Sequence, residues 1–252
     1  MTGTAMKSSD LQIDVMDVIS ELDQCVTESD ALDLTTTVVQ HLGADWFVYT
    51  TMLPPELNKT DESYRYFIGC RRELCEIYNE RRWMMNDPFI DYALSNSAPL
   101  LLSKVKTVTS GQAELLQAGA AYGFRSGLVV PTHTSMGKKR MGLLYIGSEL
   151  PKSQGEPKLW RKRVQFGALG HELLQWWNTA LRKKAMHKYS LQAEEVELLQ
   201  LVRKGKVATE IAAINDVKVS TVYRKWETIK EKLDVDRMEH AVVTAEAIGL
   251  LE

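Results

Sequence analysis

The stretch from Leu191 to Leu251, LQAEEVELLQLVRKGKVATEIAAINDVKVSTVYRKWETIKEKLDVDRMEHAVVTAEAIGLL, decides how this chain is read. Within it Val222, Trp226, Ile229 and Leu233 recur at intervals of four, three and four, which lays an apolar stripe along one side of a helix. That stripe must face a core. Ser220, Tyr223, Arg224, Glu227 and Lys230 then fall on the opposite side, with Lys225 and Lys232 at the flanks. A shorter helix over 208–214, with Ile211 and Ile214 turned inward, and a turn near Asn215 to Val217 precede it. Short helix, turn and longer helix make a helix-turn-helix, whose second helix is the candidate reader of a major groove.

The residues of this stretch carry a resemblance. E-I-A at 210–212, T-V at 221–222, K-L at 232–233, A-V at 241–242 and G-L-L at 249–251 resemble, without a gap, the output domain of LuxR-type quorum-sensing regulators. V-K-V-S-T-V-Y-R-K at 217–225 is similar to the rhizobial TraR-like branch in particular. The resemblance implies that Tyr223 and Glu227 read bases, with Arg224 beside them. Arg can hold guanine and Glu can accept from cytosine N4, although Glu227 can equally pair with Lys230 or orient Arg224. Thr221, Lys225 and Lys232 are assigned to phosphates, and Trp226 to the core. Where the family caps the reading helix with Ser this chain has Lys218, so the cap is expected to shift to Ser220 or Lys218 to reach a phosphate. Gln192 stands where a capping Ser or Thr precedes Glu195, so that cap is expected to be absent.

Composition bounds the rest. A chain of 252 residues with 44% hydrophobic and 25% charged residues can bury ordinary cores, and two domains are expected. No apolar run approaches the roughly 20 residues that cross a bilayer, and MTGTAMKSSD lacks a signal-peptide centre, so a cytoplasmic protein without membrane contact is expected. Cys25, Cys70 and Cys75 show no zinc spacing and read as buried thiols. The net charge of -2 carries no argument for DNA, but its distribution is uneven. Lys158, Arg161, Lys162, Arg163, Arg182, Lys183, Lys184 and Lys188 form one basic run, which is either functional or a solvated face.

Along the chain, Leu11, Val15, Val18, Leu22 and Val26 predict a first helix, and Ser29 to Gly43 a second, capped by Ser29 and ended by Gly43. Strands are predicted over 45–53 and 63–69, the latter after a loop opened by Pro54 and Pro55. Helices follow over 71–80, 89–97 and 109–122, then strands over 123–133 and 140–148 joined by a turn at Met136 to Lys139. A long helix from Pro157 to Met186 (apolar members Leu159, Val164, Phe166, Leu169, Leu173, Trp176, Trp177, Ala180 and Leu181) either forms a dimer or packs on its own sheet. The fold expected is α+β: an αβα sandwich over 1–184, a short basic linker at 185–190, and an all-α four-helix unit over 191–252.

The first part carries the resemblance more weakly. Y-R-Y-F at 64–67, Asp87-Pro88 and G-F-R-S-G-L-V-V-P at 123–131 are similar to the autoinducer-binding domain of the same regulators, which encloses an acyl-homoserine lactone. The resemblance implies that Asp87 accepts the ligand's amide N–H, a strong charge-assisted bond when buried, and that Tyr78 and Tyr66 belong to the pocket. Asp before Pro can equally serve only as a turn or cap. The chain departs where the family places lactone-binding donors: Cys70 for a Tyr, Leu74 and Leu102 for Trp, Phe89 and Gly147 for Ser or Thr. Each unmet buried carbonyl costs roughly 1 to 3 kcal/mol, so an ordinary lactone is not expected. A different apolar signal held by Asp87, a signal in an altered pose using Trp83, or no ligand remain.

One reading helix covers few base pairs, so a homodimer on a two-fold site in double-stranded DNA is expected, or a heterodimer with a related chain, with RNA polymerase a further candidate partner. The last helix, 238–248, offers Ala241, Val242 and Ala245 as a second dimer face or as its own packing. A ligand-independent regulator is the alternative function. An enzyme is the rival class, with Cys70, Cys75, His133 and His171 as the residue types available, but nothing ties them at motif spacing, so neither catalysis nor a metal or other cofactor is expected. A response regulator would need an acidic cluster after an early strand, which is not found.

Overall fold

A computed structural model describes residues 14–53, 64–134 and 140–251. Leu11, the loop opened by Pro54 and the turn at Met136 to Lys139 lie outside them. The first helix, α1, spans Val15–Ser20 and tightens into a 3-10 turn over Glu21–Gln24. It stops short of Val26, which is 87% exposed and does not share the stripe. Helix α2, Glu28–His41, starts two residues earlier than predicted because Thr27, rather than Ser29, caps it. Thr27 Oγ1 accepts from the Asp30 N–H at 3.1 Å and the Asp30 carboxylate accepts from the Thr27 N–H at 3.0 Å, satisfying two free amides reciprocally. Gly43, at φ 84, ends it as expected.

Five strands follow: β1 Trp46–Met52, β2 Tyr64–Gly69, β3 Leu100–Leu101, β4 Ser126–His133 and β5 Met141–Ser148. They form one antiparallel sheet ordered β2-β1-β5-β4-β3, of which β3 was not predicted. Alternation divides the sheet into two faces. Phe47, Tyr49, Phe67, Leu128, Val130, Leu144 and Ile146 point into the main core with Leu169, Leu173 and Trp177. Val48, Thr50, Tyr64, Tyr66, Ile68 and Tyr145 point the other way, toward helices α3 (Arg72–Glu80), α4 (Pro88–Ser95) and α5 (Ser110–Ala121). The middle strands are buried along nearly their whole length, the pattern of a sheet covered on both sides.

The predicted long helix is two: α6, Lys152–Arg161, and α7, Arg163–Lys188, separated at Lys162. Pro157 lies inside α6 rather than opening a helix. Leu169 and Leu173 are fully buried against the sheet, whereas Val164 is 69% exposed and not a core member. Helix α7 also runs through the expected linker as far as Lys188, leaving Tyr189 and Ser190 as the turn. Its last two turns place Ala185 and Met186 in a second core, built by α8 (Ala193–Arg203), α9 (Ala208–Ile214), α10 (Val219–Leu233) and α11 (Met238–Ala247). Leu250 and Leu251 are buried in that core, and Leu181 of α7 lies close against Gly249.

Helix α8 has a partial cap where none was expected: the Glu195 carboxylate accepts from the Gln192 N–H at 2.7 Å. Glu210 does the same for Val207 at 3.1 Å ahead of α9. Ile211 is fully buried, but Ile214 is 56% exposed and does not turn inward. Ala241 and Ala245 of α11 are fully buried within their own helical unit, while Val243 is 55% exposed.

Candidate functional site

Between the sheet and helices α3, α4 and α5 lies a cavity of about 130 Å³. Its walls are apolar, with Val48, Ile68, Leu74, Phe89, Leu102, Leu115, Leu116 and Phe124, and on one side the hydroxyls of Tyr78 and Tyr145 converge on Asp87. Asp87 is the centre of that side and is 2% exposed. Its Oδ2 accepts from the Tyr78 hydroxyl at 2.9 Å and from the Tyr145 hydroxyl at 3.1 Å, and its Oδ1 accepts from the Phe89 N–H at 2.8 Å. The last bond makes Asp87 the N-cap of α4, with Pro88 opening the helix. Asp87 is therefore both helix cap and cavity wall.

Burial disfavours the charged carboxylate, and the four hydrogen bonds from Phe89, Tyr78, Tyr145 and Ile90 only partly offset it, leaving Asp87 pushed up to about 6. The same burial, with the nearby carboxylate, drives Tyr78, Tyr145 and Tyr64 well above the ordinary phenol value, so they stay neutral donors. Among the described residues Thr50 Oγ1, buried in the wall, has no hydrogen-bond partner.

Of the expected pocket residues, Asp87, Tyr78, Tyr66, Leu74, Leu102 and Phe89 all line the cavity. Trp83 does not: it is buried behind Tyr78, its ring edge-on at 6.2 Å between centroids, and supports that phenol from outside. Tyr145, Tyr64, Thr50, Cys75 and Phe124 line the cavity without having been predicted. Strand alternation carries the signal for Tyr145, which shares a face with Gly147. Cys70 and Cys75 are half-buried and touch, with sulfurs 3.5 Å apart. His133 and His171 line a separate shallow groove.

On the second core, α10 turns Val222, Ile229 and Leu233 inward, with Trp226 partly buried beside them. Tyr223 is 53% exposed, and Lys218, Ser220, Arg224 and Glu227 are exposed with it, Thr221 being half-buried. Lys218 stands at the helix cap with no side-chain cap bond, and Ser220 lies one position inside the helix rather than at its cap. Two expected phosphate contacts are already held. The Lys232 ammonium donates to both carboxylate oxygens of Glu195 at 2.7 Å, and Lys225 donates to Glu194 at 2.6 Å, so each ties α10 to α8. Glu227 pairs with Lys230 at 2.9 Å.

The model of the family described as autoinducer binding domain matches residues 27–175, more than half of the chain. This chain belongs to that family. It is a LuxR-type quorum-sensing regulator. The transcriptional activator protein VanR of Vibrio anguillarum is 23% identical over 236 residues, covering 92% of this chain and 95% of VanR. SdiA solved in complex with octanoyl-rac-glycerol superposes with a TM-score of 0.60 at 16% identity, covering 98% of this chain and 97% of that one. Escherichia coli SdiA gives 0.61 at 17%, covering 94% and 98%. CepR2 of Burkholderia cenocepacia, an N-acylhomoserine lactone dependent LuxR family factor by its own description, gives 0.53 at 16%, covering 65% and 93%.

In this LuxR-type regulator the departures from the family pattern have packing consequences. A Cβ on Gly147 would lie 2.3 Å from the Phe124 ring, so that aromatic occupies the space a Ser or Thr would need. Leu74 and Leu102 extend the apolar wall where donors were expected. Among the described residues no group of His, Cys, Asp and Glu could hold a metal ion, and no helix is long and apolar enough to cross a membrane.

Proposed function

We propose that this chain is a DNA-binding transcriptional regulator that engages a two-fold operator as a dimer through α10, under the control of a small apolar signal bound at Asp87. The observation that carries the reading is the division of α10: an inward stripe of Val222, Ile229 and Leu233, and an outward face on which Tyr223, Arg224 and Glu227 stand together with Lys218. Arg224 is the candidate base reader, because a guanidinium can bond the O6 and N7 of guanine together. Lys218, free of a cap role, and Thr221 suit phosphates. Lys225 and Lys232 are assigned instead to holding α10 on α8. The αβα sandwich upstream and the helical unit downstream divide near the turn at 189–190, with α9, turn and α10 as the helix-turn-helix.

The signal consistent with the cavity carries an apolar body and one hydrogen-bond donor, an amide or hydroxyl, for the ionised Asp87. About 130 Å³ is close to the roughly 150 Å³ apolar cavity that takes benzene, so the part of a signal held inside this half-open space is a compact group. The alternative, regulation without a ligand or as a heterodimer partner, draws on the same small volume and on Phe124 filling the place above Gly147.

Gel shift on promoter fragments, comparing wild type with Arg224→Ala, tests the DNA reading. The variant is expected to bind its operator roughly 5- to 150-fold more weakly, the span of about 1 to 3 kcal/mol for one base contact. Equal binding by both removes Arg224 as reader. Mass spectrometry of an organic extract of the purified protein, followed by thermal shift with acyl lactones and acyl glycerols, separates the liganded from the ligand-free reading.

A further inference from the structure

The chain's three cysteines are unequal neighbours. Cys70 follows the last residue of β2 and Cys75 sits in the second turn of α3, so the β2–α3 bend folds the two together, with sulfurs 3.5 Å apart. Both are half-buried, and Cys75 faces the signal cavity. Among the described residues their one other hydrogen-bond partner is the Arg71 carbonyl, 3.6 Å from the Cys70 sulfur. Nothing in the cavity's contact with Asp87 uses either thiol. Cys25, by contrast, lies in the main core's margin, where its own burial and then the charges of Asp30, Glu21 and Asp23 push its thiol up.

We propose that Cys70 and Cys75 form a reversible, peroxide-oxidisable dithiol in the wall of the signal cavity, a modification site distinct from the Asp87 hydrogen-bonding centre. The shared hydrogen bond favours this chemistry. Either sulfur can donate it; with Cys70 as donor it lowers Cys75 and raises Cys70, the arrangement in which one sulfur is the nucleophile and its neighbour resolves. In the first step the Cys75 thiolate attacks a hydroperoxide oxygen, the O–O bond breaks, and Cys75 becomes a sulfenic acid as an alcohol or water leaves. In the second the Cys70 sulfur attacks that sulfenic sulfur, the S–O bond breaks and water leaves. The sum is two thiols and one hydroperoxide giving one disulfide, one alcohol and one water. A dithiol reductant returns the two electrons and two protons. Bonding draws the sulfurs from contact to about 2.05 Å, which shifts Cys75 within the cavity wall.

Arg71 and Arg72 lie between the two cysteines and are exposed, so trypsin cuts between the partners and leaves a bonded pair as two peptides joined by one disulfide. The full chain is treated with hydrogen peroxide at neutral pH, then alkylated, digested and weighed over time. The expected result is loss of two of the three alkylatable thiols, appearance of the linked Cys70 and Cys75 peptides, and separation of these by dithiothreitol. The pair should be lost at least tenfold faster than Cys25, and equally fast in Cys25→Ser. In Cys70→Ser and Cys75→Ser no intramolecular link forms, and the remaining thiols keep to the slow rate of Cys25 or stop as single-cysteine oxidation products. Retention of three alkylatable thiols, a link confined to pairs of chains, or equal rates for Cys25 and the pair overturns the proposal.

Discussion

Asp87 is where residue-level chemistry is most exposed to test. Burial raises it from an ordinary 3.8 to about 6, so between those values the folded chain holds a proton that the unfolded chain releases. Its contribution to stability is therefore full below about pH 4, falls as pH rises through 6, and is constant above; a shift of this size amounts to about 3 kcal/mol. Urea midpoints measured from pH 4 to pH 7 should show that decline, and Asp87→Asn, which has no proton to lose, should flatten it. Binding of a signal through an N–H or O–H runs the opposite way, strengthening as Asp87 ionises above pH 6. Gly147 gives a second residue-level prediction. Gly147→Ser drives a Cβ to 2.3 Å from Phe124 and should cost roughly 1 to 3 kcal/mol by urea denaturation, and the same change should cost little when made in the Phe124→Ala background, where the ring is gone. Asp87, Tyr78 and four further pocket residues were legible in the sequence through resemblance. Trp83 was misplaced, because sequence position cannot say which side of Tyr78 an indole occupies.

At the scale of elements, helical and strand periodicity located nearly every helix and four of the five strands, since each buries one face and the period follows. Ends and joints were harder. Nothing at Lys162 marks a break between α6 and α7, there being neither Gly nor Pro at the joint, and Pro157 suggested a start where it sits mid-helix. Residues 185–190 read as linker because a short basic run resembles a loop, yet the helix continues to Lys188 and Ala185 is buried. Partnerships between helices were likewise invisible: Lys232 and Lys225 sit on the polar side of α10 by spacing alone, and only folding brings Glu195 and Glu194 to them. Glu195 is mostly buried, so Lys232→Met should strand its charge and lower stability by about 1 to 3 kcal/mol, while Lys225→Ala, whose partner Glu194 is exposed, costs under about 1 kcal/mol. Chemical denaturation of both variants distinguishes the two ion pairs, and comparable losses would mean that burial of Glu195 is not what matters.

For the whole molecule, the proposed dimer ties affinity to geometry. Two reading helices related by a two-fold axis demand half-sites about one duplex turn apart, so inserting roughly five base pairs between them turns one half-site to the far side of the DNA. Gel shift should then show at least tenfold weaker binding, and unchanged binding would mean that each subunit engages DNA alone. One helix also joins the two cores, and the proposed function makes it the transmission. Helix α7 packs Leu169, Leu173 and Trp177 beneath the sheet that walls the cavity and, without interruption, delivers Ala185 and Met186 to the core that carries α10. A rod gripped at both ends has no slack: under the proposed function, a ligand that tilts its near end by a few degrees swings the far end, and with it the angle that α10 presents.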